Sequence, residues 1–189
     1  MVAPATRHAA RLIAGGAALL AGAVLADSSI EHYRGSFDNR AMPVPVATSA
    51  FALLTNGGLA MGGSLPLAMS VHVASAAVGT AGLGFHAYNI AKQAGGVRWG
   101  TLFYQAPIGA PAALLLSGAL GAAAQALANG HPALVSGRVI AGLCAVGLAG
   151  NAAEVALLHF RGAYHNKVMY LPVTLTPLAA LALAGAAWT

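Results

Sequence analysis

The chain has 189 residues, 58% of them hydrophobic and only 7% charged, with a mean hydropathy of +0.73. A soluble domain carries about 25% charged residues, so this chain lacks the polar surface to coat a globule in water, and lipid is its main solvent. The net charge of +5 comes from basic residues set singly at the ends of apolar runs, which suits anionic headgroups and excludes a nucleic-acid-binding patch.

A helix needs about 20 apolar residues to cross the hydrocarbon, and its backbone must be satisfied internally. Six runs qualify or nearly qualify: 9–30, 44–61, 67–90, 106–128, 136–158 and 171–188. The first, in "MVAPATRHAARLIAGGAALLAGAVLADSS", imitates a cleavable signal peptide. A repeat described below argues for a retained membrane helix instead. The second run opens near Pro45, and "NGGLAMGGSLP" breaks the chain after it. The third run holds His72 and His86, 14 residues apart. That spacing puts them about 40° apart in azimuth and about 21 Å apart along the axis. One face near two membrane surfaces is what a helix serving two haems would need, but no other run offers a matching pair of histidines.

"KQAGGVRWG" separates the third run from the fourth, with Trp99 as an interface anchor. Pro107 and Pro111 lie at the opening of the fourth run, and Pro111 is placed deep enough to bend it. "NGHP" follows. The fifth run contains Cys144, the single cysteine, so an internal disulfide is excluded and a packed core residue is expected. The sixth opens near Pro172 and reaches Trp188, a second interface anchor.

The stretch "HYRGSFDNRAMPVPV" from His32 aligns without a gap with "HFRGAYHNKVMYLPV" from His159. The copies share His, Arg, Gly, Asn, Met, Pro and Val, and Asp27 falls opposite Glu154. This is an internal repeat, 27–62 against 154–189, each copy reading helix, polar loop, helix. A degraded middle copy over 81–128 is suggested by "GFHAYN" and "YQAPIGAP". The expected fold is an all-α polytopic membrane bundle, a single domain over 1–189. Its roughly six transmembrane helices would form three parallel hairpins with their polar loops on one side. That side carries Arg34, Arg40, Lys92, Arg98, Arg161 and Lys167, against Arg7, Arg11 and Arg138 opposite. The bias puts the repeat loops in the cytoplasm of a multi-pass protein of the inner (plasma) membrane.

The polar side chains concentrate in these loops. His32, His86 and His159 each close a helix, and a histidine supplies an axial nitrogen to haem iron or a ligand to another metal. Met42 and Met169 are soft ligand candidates. Arg34 and Arg161 are candidates for propionate or quinone contacts. Asp27 and Glu154 are intramembrane acids, which are costly and face a partner or a cavity; Arg34 and Arg161 are the expected partners. The same residue types also serve as interface anchors and helix caps. In that reading Gly35 and Gly162 take the left-handed conformation, and Asn39 and Asn166 bind loop backbone.

No nucleotide-binding glycine fingerprint, cysteine cluster, His-Glu-x-x-His or serine elbow is present. The layout, a helical bundle with His and Arg near one surface, is similar to that of small haem- or quinone-binding membrane subunits of respiratory dehydrogenases. No motif carries the likeness further. The first functional expectation is therefore a non-catalytic membrane subunit that anchors a redox partner and passes electrons to quinone, through haem b held by His32, His86 or His159. The others are a small-solute or ion transporter with Asp27 and Glu154 on the path, and a cofactor-free scaffold. The expected partners are the lipid bilayer and other subunits or a second copy, with no nucleic acid.

Overall fold

A computed structural model of the chain describes residues 2–98, 101 and 108–188. The expectations for Trp99, for Pro107 and for "YQA" in the middle copy lie outside the described residues. Among the described residues six α-helices of eighteen residues or more follow in order: α1 Pro4–Arg34, α2 Pro43–Ala60, α3 Ala68–Lys92, α4 Gly109–Ala128, α5 Gly137–Arg161 and α6 Tyr170–Trp188. No strand occurs among the described residues. Five of the helices are long and apolar enough to cross a membrane. The exception, α2, has 18 residues and buries Ser49, Thr55 and Asn56. The chain is all-helical and built for lipid.

The described residues form two compact units, Met1–Asn89 with Ala110–Val135, and Ile90–Gly109 with Ser136–Thr189. In the first unit, α1 starts at Pro4, where the missing N–H costs nothing. It buries Ala10, Ala14, Ala17, Ala21, Val24 and Ser28, a 4-3-4-3-4 spacing that keeps one narrow face inward. α2 runs back along α1: Arg11 Nε, near the start of α1, donates to the Ala60 carbonyl at the end of α2 at 2.8 Å. Ala14, Leu59 and Ala124 form a small core shared by α1, α2 and α4. Ser117 Oγ of α4 donates to the Ala17 carbonyl of α1 at 2.8 Å and is fully buried.

α3 and α4 meet backbone to backbone. A Cβ on Gly118 would lie 2.6 Å from both the Ala76 nitrogen and the His72 carbonyl oxygen. A Cβ on Gly79 would run into the Leu115 nitrogen and lie 2.7 Å from the Pro111 carbonyl oxygen. Only glycine permits this approach, and close small-residue contact is how helices associate in lipid. Pro111 lies in the first turn of α4, which starts at Gly109. There it removes a donor that has no helical partner in any case.

In the second unit, α5 begins at Ser136, whose Oγ accepts from the Val139 amide at 3.3 Å as an N-cap. α6 returns along α5, with Ala187 Cβ 3.9 Å from where a Cβ on Gly142 would sit. The large apolar residues of this hairpin, such as Val146, Phe160 and Leu181, stand exposed, as a lipid-facing surface requires.

Candidate functional site

The two repeat loops are copies in conformation as well as sequence. α1 ends as the Gly35 amide donates to the Glu31 carbonyl at 3.0 Å, and the Phe37 amide to the His32 carbonyl at 2.9 Å. At the end of α5 the Gly162 amide donates to the Leu158 carbonyl at 3.2 Å, and the Tyr164 amide to the His159 carbonyl at 3.1 Å. The left-handed residues are Ser36 and Phe37 (φ 57° and 49°) and Ala163 and Tyr164 (φ 53° and 48°). Gly35 and Gly162 have φ of −81° and −78°, so the expectation of left-handed glycine caps is corrected. The glycines matter for space, because Met42 Cε and Met169 Cε rest against them, 3.8 and 3.4 Å from where a Cβ would be.

Each loop is then tied by its histidine. His32 Nδ1 lies 2.8 Å from the Met42 carbonyl oxygen, and His159 Nδ1 lies 2.9 Å from that of Met169. A carbonyl only accepts, so both rings carry a proton on Nδ1, and the neutral form of each is the tautomer with its lone pair on Nε2. Phe37 and Tyr164 stand edge-on to these rings, with centroids 6.2 and 6.1 Å away. Asn39 Oδ1 accepts from the Ala41 amide and Asn166 Oδ1 from the Val168 amide, each at 2.9 Å, as the loop-binding reading of these asparagines expects.

The other expected site residues are spread out. Arg34 pairs with Glu31 at 2.9 Å, and not with Asp27, because Glu31 is one helical turn away and Asp27 is two. Asp27 is exposed on α1 and within electrostatic range of Glu31, His32 and His86. His86 lies within α3, six residues before its end at Lys92, and its buried Nδ1 has no hydrogen-bond partner. That differs from His32 and His159, which sit two residues before their helix ends. Glu154 packs on Gly109, where a Cβ would lie 2.5 Å from Oε2. Arg161 is exposed at the end of α5. His159, Arg161 and Glu154 belong to the second unit, and Asp27, His32, Arg34 and His86 to the first. Among the described residues no three His, Cys, Asp or Glu side chains come together to hold a metal ion.

A second polar site lies inside the first unit. His72 of α3 and Asn56 of α2 are completely buried, at 0% exposure. Both press on Gly121 of α4, where a Cβ would meet His72 Nδ1 and Cε1 and Asn56 Oδ1. Neither ring nitrogen of His72 and neither amide atom of Asn56 has a hydrogen-bond partner. Gln125, one turn beyond Gly121, is also buried; its Nε2 donates to Asn129 Oδ1 at 3.0 Å while its Oε1 is unpartnered. Buried polar atoms normally find partners, and leaving one without costs about 1–3 kcal/mol. Ser75 and Ser117 are buried in the same unit, and each hydroxyl donates to a carbonyl at 2.8 Å.

The inward face of α3 links this site to His86. His72, Ser75, Gly79, Gly82 and His86 recur at 3-4-3-4 spacing, and the first three are buried. Sequence reading noted the two histidines but missed Asn56, because "NGG" reads as a turn. The structure carries α2 through Asn56, Gly57 and Gly58 as far as Ala60. The available signal was a lone Asn and a lone His inside apolar runs, each expensive in lipid. Comparison with protein-family models, with curated proteins and with solved structures finds no match to this chain.

Proposed function

We propose that the chain is a multi-pass transporter, carrying a small solute or ion through the helices of its first unit. One observation carries this reading: Asn56 and His72, fully buried among the helices of the first unit, keep all their polar side-chain atoms unpartnered. Such groups are expensive in lipid and mark solute and ion pathways. Asp27, beside His86 and His32, gives the path a charged mouth near the repeat loop. The basic residues of both loops favour the cytoplasmic side of an inner (plasma) membrane. The exposed apolar faces meet lipid, with other subunits or a second copy among them.

The test is flux through vesicles reconstituted with the full chain, using protons, potassium, chloride and glycerol as probes. Flux of at least one above protein-free vesicles, reduced by Asn56→Leu, is the expected result. No flux of any of the four would overturn the reading.

A specific observation also favours the electron-transfer reading. His32 and His159 each hold their Nδ1 proton on a backbone carbonyl, the arrangement that orients a ligating histidine and leaves Nε2 for a metal. In this second reading the candidate ligands of haem b are His32 and His86 in the first unit, or His159 in the second. Arg34 in the first unit, or Arg161 in the second, contacts a propionate or quinone, and the chain anchors a redox partner. The absorption spectrum of the detergent-purified protein, oxidised and dithionite-reduced, decides it. A Soret band lost in His32→Ala or His159→Ala supports the reading, and a colourless protein from a haem-replete culture rejects it.

A further inference from the structure

We infer that α5 carries the contact face of a two-fold dimer of this chain, with Asn151 of each copy hydrogen-bonded to Asn151 of the other. The inference concerns the second unit and holds under either reading of function above.

Depth is the first argument. Asn151 lies about 3 Å along the axis from the midpoint of α5, Gly137–Arg161. Arg138 and Arg161 mark the two ends of the helix, so hydrocarbon extends to either side of Asn151. Its side chain is too short to reach either surface. It is exposed, and it makes no hydrogen bond among the described residues. Lipid offers an amide no partner, and a polar group left in that state is costly.

The repeat is the second. Asp27 aligns with Glu154, which sets Ala17 against Cys144 and Val24 against Asn151. In α1 these positions are buried. They lie on the side that α4 helps to cover, with Ser117 bonded to the Ala17 carbonyl and Ala124 packed with Ala14. In α5 the buried residues are Ala141, Ala145 and Ala152. They face one way, and Asn151 lies about 100° round the helix from Ala152. The α1–α2 hairpin therefore has a further helix against this side. The α5–α6 hairpin leaves it open, with half-buried Cys144 and exposed Gly147 and Asn151 at 3-4 spacing.

Self-complementarity is the third, and it names the occupant. The amide of asparagine is both donor and acceptor. A two-fold axis sets a residue against its own equivalent. Each Asn151 then donates an N–H to the carbonyl oxygen of the other, and one residue supplies both bonds. In one membrane both copies have the same topology, so the axis runs along the membrane normal. The two α5 helices are parallel, and Asn151 meets its equivalent at the same depth. Gly147, one turn earlier, lets the backbones come close enough for so short a side chain to reach. The contact runs from Cys144 to Asn151, because Glu154, one turn further on, is packed on Gly109.

The experiment is sedimentation equilibrium of the full chain in density-matched detergent. Wild type should show a monomer–dimer equilibrium. Asn151→Leu should raise the dissociation constant about tenfold, the usual scale for hydrogen bonds between membrane helices. Asn151→Gln keeps a donor and an acceptor and should retain the dimer. Val146→Ala, about 140° round the helix, should leave it unchanged. A second readout needs no variant: in vesicles of the wild-type protein, a short bismaleimide should join Cys144 of one copy to Cys144 of another. A monomer at every concentration, a dimer that Asn151→Leu does not weaken, or Cys144 thiols that never cross-link overturns the inference. So does an Asn151→Cys thiol, in a Cys144→Ser background, that resists a membrane-permeant maleimide in the monomer, because the chain itself then covers this face. None of these outcomes bears on flux or on a haem spectrum, so failure here is distinct from failure of the proposed function.

Discussion

His32 and His159 make one hydrogen bond twice: each donates Nδ1–H to a methionine carbonyl ten residues on, Met42 at 2.8 Å and Met169 at 2.9 Å. The repeat therefore has a structural meaning whatever else it does. The histidine fastens the start of the returning helix to the end of the outgoing one. His159→Ala should destabilise the protein by about 1 kcal/mol, the net worth of one such bond. The check is the thermal midpoint in detergent. An unchanged midpoint would mean that the loop closes without its tie.

The left-handed residues of the loop give a second prediction. Ala163 holds φ at 53° on an exposed position, so its side chain contributes no burial. A β-branched residue fits this conformation worst and glycine best. Ala163→Val should lower the thermal midpoint, by about 1–2 kcal/mol in stability. Ala163→Gly should leave it level or raise it.

Glycines in α3 and α4 should divide by what surrounds them. Gly118→Ala would drive a methyl into the Ala76 and His72 backbone, which cannot step aside as a side chain can. A loss of about 1–3 kcal/mol is expected. Gly84 has nothing within 4 Å of a new Cβ. Gly84→Ala should be neutral or stabilise by up to about 1 kcal/mol through helix propensity. Equal midpoints for the two variants would contradict the packing described for α3 against α4.

The ion pair of Arg34 with Glu31 should contribute little, since the two side chains are 71% and 47% exposed. Solvent screening removes most of such an attraction. Glu31→Gln is expected to leave the thermal midpoint unchanged at physiological salt. A clear fall would mean that Glu31 has a further role beside Asp27.

Much of this architecture was legible in the sequence because lipid imposes a length. Runs such as 67–90 and 136–158 had to be helices, and α3 and α5 follow them to within three residues. The repeat was legible because His, Asn and Met recur at fixed offsets, and the loop hydrogen bonds use those same residues. What stayed hidden depends on neighbours. Nothing in "TSAFALLTNGG" says that Asn56 will be covered by α3 and α4, or that Gly121 will be the surface it meets. The glycine cap was misread for a local reason. Arg-Gly looks like a left-handed terminus, but here Ser36 and Phe37, and Ala163 and Tyr164, absorb the turn.

The alanine face of α1 has one more consequence. Ala10, Ala14, Ala17 and Ala21 are nearly identical bumps at regular intervals, so a helix resting on them could slide by a turn and find the same surface again. Size alone does not set the register. Two polar pins do: Arg11 on the Ala60 carbonyl, and Ser117 on the Ala17 carbonyl. They index α1 against α2 and α4 as teeth index a ratchet, and through α4 they fix the height at which Gly121 meets His72.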